Sequence, residues 1–165
     1  MIKINKSTNA DTRSATEKVS KEVLLENSKQ HIEDVNKALW WMSNRLIDIG
    51  FGHDWTKLEN IDEFYADFSS TQDGFQGDFK QMHWFKDLHL QERHHLTDRC
   101  PEDVNLFDVL ERIADCVMAG LARSGNLYED TLSPEILVKA YQNTINLLIA
   151  EVEVVSTPTH KGETG

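Results

Sequence analysis

Six of the seven histidines lie between residues 31 and 95: a lone His31, His53 followed at once by Asp54, then His83, His89 and the adjacent pair His94 and His95. Asp115 follows inside a stretch of helical periodicity. Imidazole and carboxylate together make the ligand set of a catalytic divalent metal, and histidine is the side chain most easily moved across neutral pH. A helical protein that is merely histidine-rich is the plain alternative, so the order of these residues carries more than their number. His53 and Asp54, being neighbours, can both reach one ion only if the backbone turns there. Gly50 and Gly52, just upstream, make such a turn easy.

The elements that must position these residues read as helices. Apolar residues Leu24, Val35, Leu39, Met42, Leu46 and Ile49 recur by threes and fours, predicting a helix over about 16–49. Extending that stripe backwards from Val35 reaches His31, which is thereby expected on the buried side. Trp40 and Trp41 cannot both face inward, so one is expected over a groove or a subunit contact. Gly50 and Gly52 should end this helix. Further helices are expected over about 56–68, 79–92 (aromatic and histidine-rich) and 104–122. The last opens at Ser133-Pro134-Glu135, with Ser as cap and Pro in the first turn. Segments 69–78 and 96–103 read as loops, and Ser124-Gly125-Asn126 as a helix stop. No convincing strand is visible. The expected fold is all-α, a single-domain helical bundle of about five main helices. Its domain would span 15–155, between a flexible N-terminus at 1–14 and a flexible tail at 156–165 that makes His160 a bystander.

Composition narrows the function. At 165 residues, 39% hydrophobic and 27% charged, the chain suits one soluble domain. No apolar run approaches the roughly 20 residues of a membrane span, and the N-terminus has no apolar core segment of a secretory signal. A cytoplasmic location is expected. Cys100 and Cys116 are read as unpaired thiols in a reducing compartment. A net charge of −11 with singly scattered Lys and Arg argues against duplex nucleic acid as a partner. It leaves cation attraction, nucleic-acid mimicry or simply a solvated surface.

His31, the His53-Asp54 doublet and the late helical Asp115 form a series that resembles the HD-domain metal-dependent phosphohydrolase superfamily. HDWTK at 53–57, WFKDLHLQERHH at 84–95 and the aspartate within RIADCVMAG at 112–120 look like a small branch common in bacteriophage genomes. The likeness covers about residues 28–124. It implies an HD-like helical fold and a divalent metal (Mn, Mg, Fe, Co or Ni, as one or two ions) held by His31, His53, Asp54 and Asp115. His89, His94 and His95 would be ligands to a second ion or phosphate contacts, with His89 and His94 on the metal and His95 on the substrate, unless one of the adjacent pair is merely structural. Asp54 and Lys57 would be the catalytic residues. Lys57, one turn beyond the doublet, would also neutralise a phosphate, unless it is an exposed helix lysine. Arg93 would clamp a phosphate, unless it makes a surface salt bridge. His83 is the weakest candidate. Phosphate ester hydrolysis needs charge neutralised on non-bridging oxygens and an activated water, both of which a divalent metal supplies. The implied substrate is a nucleotide or another small phosphorylated metabolite, with Trp55, Trp84 or Tyr65 available to stack on a base.

Two other functions fit parts of the chain. An all-α nucleotide pyrophosphohydrolase would hold Mg²⁺ through carboxylates such as Asp108, Glu111 and Asp115. It leaves the histidines unexplained, and its first acidic cluster is missing. A non-enzymatic acidic phage protein that binds a host factor would use the −11 charge and the Trp40–Trp41 pair. A homodimer and a host protein are therefore the protein partners left open, with the host cytoplasm as the setting for a phage-encoded chain.

Overall fold

The computed structural model describes residues 1–6, 18–72 and 77–156. Most of the expected flexible termini, the start of the first helix, the middle of the 69–78 loop and His160 lie outside the described residues. Five α-helices dominate: α1 Lys21–Gly52, α2 Trp55–Glu59, α3 Ile61–Gln72, α4 Leu106–Ser124 and α5 Pro134–Glu151. The all-α expectation holds. No helix among the described residues is long and apolar enough to cross a membrane. The chain divides into two compact units, Met1–Asn44 with the stretch from Asn146 onward, and Arg45–Ile145.

The first unit contains two elements that the sequence did not reveal. Strand β1 (Ile2–Asn5) pairs in parallel with β2 (Val152–Val155), Ile2 opposite Val152. Ile2 is buried, and Lys3 pairs across the sheet with Glu153 at 3.7 Å. Four residues per strand are too few to show the alternation that announces a strand, yet β-branched residues favour the pleat once paired. The first strand falls in a stretch expected to be irregular. On α1, Gln30 and Lys37 donate side-chain hydrogen bonds to the carbonyls of Asn5 and Lys3. The α1 stripe itself is not covered, for no residue of that helix is buried.

The second unit carries the compact core, with Leu96, Val104, Val109 and Ala140 buried together and Leu106, Leu132 and Ile136 packed against them. Helix α4 begins at Asn105, whose side chain accepts from the backbone N–H of Phe107 and Asp108 while Asp108 accepts from the N–H of Asn105. This capping box opens α4 at Leu106, close to the expected start at about 104. Gly125 ends α4 in a left-handed conformation (φ 71°), as its place after the apolar stripe predicted. Ser133 caps α5 through the N–H of Ile136.

The expected helix over 79–92 is not an α-helix. It is wound as a 3₁₀ turn (Phe79–Gln81), a π turn (Trp84–Leu88) and a second 3₁₀ turn (His89–Gln91). Residues five apart lie about 140° apart on an α-helix, whereas π winding bonds i to i+5 and brings them nearer one face. That is what stacks Trp84 on His89, with ring centroids 4.5 Å apart, and Trp84 on Phe64 at 4.0 Å.

Tight approach fixes the end of α4. A Cβ at Gly120 would meet the Asn126 carbonyl oxygen at 2.7 Å, whereas at Gly50 it would meet nothing within 4 Å. Gly120→Ala is expected to cost about 1–3 kcal/mol. Gly50→Ala should be neutral or stabilising by up to about 1 kcal/mol. Melting temperatures of the two variants check the contrast.

Candidate metal centre

His53 follows directly on the last residue of α1, and the chain turns at Asp54. The turn does not use the glycines: Gly50 and Gly52 are within the helix, and Asp54 itself adopts a left-handed backbone (φ 56°, ψ 27°) as the residue capping α2. Among non-glycine residues Asp is one of the few that tolerate this conformation, and such outliers concentrate at functional sites. Lys57, one turn on, donates to Asp54 Oδ2, and its backbone N–H bonds the Asp54 carbonyl at 2.9 Å.

The histidine-rich loop is tied to both neighbouring helices. Thr56, fully buried on α2, donates its N–H to Glu92 and places its hydroxyl 2.9 Å from His89 Nδ1. Arg93 grips Asp108 through Nε (2.8 Å) and Nη2 (2.9 Å), and also bonds Asp103. The cap of α4 is thus fastened to the residue next to His94. From there Glu111, one turn into the helix, reaches both rings: its Oε1 lies 3.0 Å from His53 Nδ1 and 3.2 Å from His94 Nδ1. The first contact is a hydrogen bond; the second lacks the angle for one.

With their Nδ1 atoms toward Glu111, His53 and His94 turn Nε2 toward Asp54, at 3.4 Å from Oδ2 and 3.9 Å from Oδ1 respectively. His89 Nε2 stands 3.8 Å from the same Oδ1. Asp115, one turn beyond Glu111, lies 3.7 Å from His53 Nε2. His53, Asp54 and Asp115 offer ligand atoms within 4.8 Å of one another, and so do His53, His94 and Glu111. Asp54 Oδ1 is buried without a hydrogen-bond partner, a condition that costs free energy unless a donor or cation approaches it. A carboxylate oxygen in that state, with imidazole nitrogens 3.8–3.9 Å away, suits a divalent cation. Of the two groups, the one at Asp54 has the freer ligand atoms, because in the other Glu111 already bonds His53.

Burial raises the Asp54 carboxyl, but Lys57 outweighs it and holds Asp54 below the usual range. Burial likewise raises Glu111, and the His94 and His53 contacts override it to leave Glu111 lowered. Burial lowers His94, and Glu111 more than compensates, so His94 is raised. His89 and His95, whose Nε2 atoms lie 2.9 Å apart, are pushed down to about 3 and about 4. Burial is the main cause, followed by the charge of His95 on the one and of His94 on the other. They are neutral at pH 7, as ligation requires.

In the metal-free protein these shifts set a pH dependence. Below 6.5 the unfolded chain takes up protons on His89 and His95 that the fold refuses until about pH 3 and about pH 4 respectively, so stability falls as pH drops. His94 acts the other way, adding stability below 6.5 that is lost as pH rises through its folded value. Two rings outweigh one, and metal-free protein is expected to melt lower at pH 5 than at pH 7. An equal or higher melting temperature at pH 5 contradicts this balance.

Several residues singled out in the sequence lie elsewhere. His31 is exposed on α1, in the first unit, and belongs to neither group of ligand atoms found among the described residues. The inward stripe that suggested otherwise buries nothing. Arg93 is no phosphate clamp, since Asp108 and Asp103 occupy its guanidinium. Asp108 itself is cap and salt-bridge partner, not a metal ligand. His83 is exposed and bonds Asp87. Trp84 is buried in aromatic packing, leaving Trp55 and Tyr65 as the exposed rings. Both cysteines are free, and burial raises the Cys116 thiol. Sequence reasoning missed the role of Glu111. Its signal was the four-residue spacing to Asp115, which puts both carboxylates on one helix face.

The fold and the cluster define a predominantly helical protein with imidazoles and carboxylates converging from the turn between α1 and α2, the 89–95 loop and α4. Scans against family models, curated proteins and solved structures found no match to the chain.

Proposed function

We propose that this protein is a metal-dependent phosphohydrolase acting on a nucleotide or another small phosphorylated molecule, with His53, Asp54, His94 and Asp115 as its ligand set. The observation that carries the reading is the buried, unpartnered Asp54 Oδ1 faced by imidazole nitrogens. The resemblance of HDWTK and the late aspartate to HD-domain hydrolases supports it. A divalent cation in such a site lowers the pKa of a bound water and neutralises phosphate oxygens. Glu111 holds Nδ1 of His53, which leaves Nε2 as the coordinating atom. Lys57 keeps Asp54 ionised and retains further N–H donors for a phosphate oxygen. The Nε2 atoms of His89 and His95 lie 2.9 Å apart and the Thr56 hydroxyl lies 2.9 Å from His89 Nδ1, so a proton held between the two neutral rings would pass along this line without the pair acquiring charge. The free cysteines fit a reducing compartment, and we place the activity in the cytoplasm.

Purified protein supplied with Mn²⁺, Mg²⁺ or Co²⁺ is expected to release phosphate from at least one member of a panel of nucleotides and simple phosphate esters. Metal-loaded protein that releases none defeats the proposal.

A further inference from the structure

Beside the cluster, wholly within the second unit, is an open pocket of about 300 Å³. Its lining combines His53, Glu111 and Asp115 with the apolar side chains of Leu46, Ile49, Leu110 and Met118. No Lys or Arg lines it. Of the basic residues in the surrounding segments, Arg93 pairs with Asp108 and Asp103, Arg112 with Asp130 and Lys57 with Asp54, while the Arg45 guanidinium lies over the Phe107 ring. A polyphosphate tail carries several negative charges and is ordinarily met by Lys or Arg clamps. Here it would face two carboxylates against apolar walls, an arrangement that repels it. An uncharged apolar group would instead exchange water for Leu, Ile and Met surface, at roughly 25 cal/mol per Å² buried. The volume is at the lower end of the ~300–1,000 Å³ typical of small-molecule sites, which suits one ring system better than a long chain.

We infer that this pocket receives the organic body of a phosphate monoester, an uncharged and largely apolar group, and that the site disfavours polyphosphates. The inference rests on the hydrolase reading for the position of the phosphate, at the Asp54 cluster. It accounts for exposed apolar residues of α4 standing next to charged ones. It also gives Gly50 a role: the absence of a side chain there leaves one side of the pocket open, with nothing within 4 Å of where a Cβ would stand.

Calorimetry at fixed free Mn²⁺ tests it, using phenylphosphonate, inorganic phosphate and methylenediphosphonate as probes. Phenylphosphonate is expected to bind at least about 10-fold tighter than phosphate, roughly 1.4 kcal/mol, and the diphosphonate no tighter than phosphate. Ala114, exposed on the pocket lining, provides the control. Ala114→Leu should bring phenylphosphonate down to the level of phosphate without changing Mn²⁺ affinity, and Gly50→Leu should do the same from the opposite wall. Tighter diphosphonate binding, no phenylphosphonate binding, or filling variants without effect on phenylphosphonate each overturn the inference. So does a change of mass in light scattering on Ala114→Leu with probe affinities unaltered, which would make this wall a contact between copies. Turnover separates the two claims. Tight phenylphosphonate binding with no phosphate released from phenyl phosphate or any other ester defeats the hydrolase reading alone. Faster release from ATP than from phenyl phosphate defeats the pocket assignment alone.

Discussion

Asp54→Asn is expected to abolish tight divalent-cation binding and, with it, phosphate release. The substitution keeps the shape of the side chain and tolerates the left-handed backbone at this position. Its amide oxygen can still accept from Lys57. What it removes is the negative charge, together with the oxygen that is buried without a partner beside His89 and His94. Loss of an outer partner of a metal ligand typically costs about 10–100-fold in affinity, so loss of the central ligand should cost more than about 100-fold. The metal-free variant should melt within about 4 °C of the parent, a change on the order of 1 kcal/mol. Unchanged affinity for Mn²⁺, Mg²⁺ and Co²⁺ in a folded Asp54→Asn protein would remove Asp54 from the site.

The second large effect is expected at Glu111. Its carboxylate accepts from His53 Nδ1 and lies 3.2 Å from His94 Nδ1, so it sets which nitrogen of each ring is left to coordinate. Glu111→Gln preserves size but loses the charge that favours a proton on both Nδ1 atoms, and about 10–100-fold weaker metal binding should follow. Ring ¹⁵N spectra of the metal-free variant should lose the Nδ1–H preference of His53, a change that a merely structural role for Glu111 would not produce. The pair of variants also separates two placements of the cation. An ion held at Asp54 makes Asp54→Asn the more damaging substitution. An ion held between Glu111 and the two Nδ1 atoms reverses the order.

Local chemistry made part of this site legible. The His53-Asp54 doublet, Asp115 and the helix that carries it could be found because ligand type, glycine punctuation and a period of 3.6 are all short-range signals. Glu111 was visible one turn from Asp115, but nothing local says that two rings 58 and 17 residues away in sequence converge on it. Arg93 shows the same limit: its partner Asp108 lies 15 residues on, and only the fold decides between a carboxylate and a phosphate. His31 belongs to no ligand group among the described residues, for a different reason. Periodicity states which residues share a helix face, not whether anything covers that face, and α1 has no buried residue. The turn at the doublet was anticipated, but its strain falls on Asp54 rather than on the neighbouring glycines. In the 79–92 segment the aromatic spacing suggested an α-helix, whereas stacking of Trp84 between Phe64 and His89 goes with π winding. The two strands were hidden by brevity, each only four residues and paired with a segment about 150 residues away.

One comparison bears most directly on whether the Asp54 carboxylate is the seat of a cation. Mn²⁺ binding should be titrated in the parent protein, in Asp54→Asn and in His31→Ala. Stoichiometric binding that survives His31→Ala and vanishes in Asp54→Asn is the expected result. Binding that persists in Asp54→Asn but is lost in His31→Ala would contradict it.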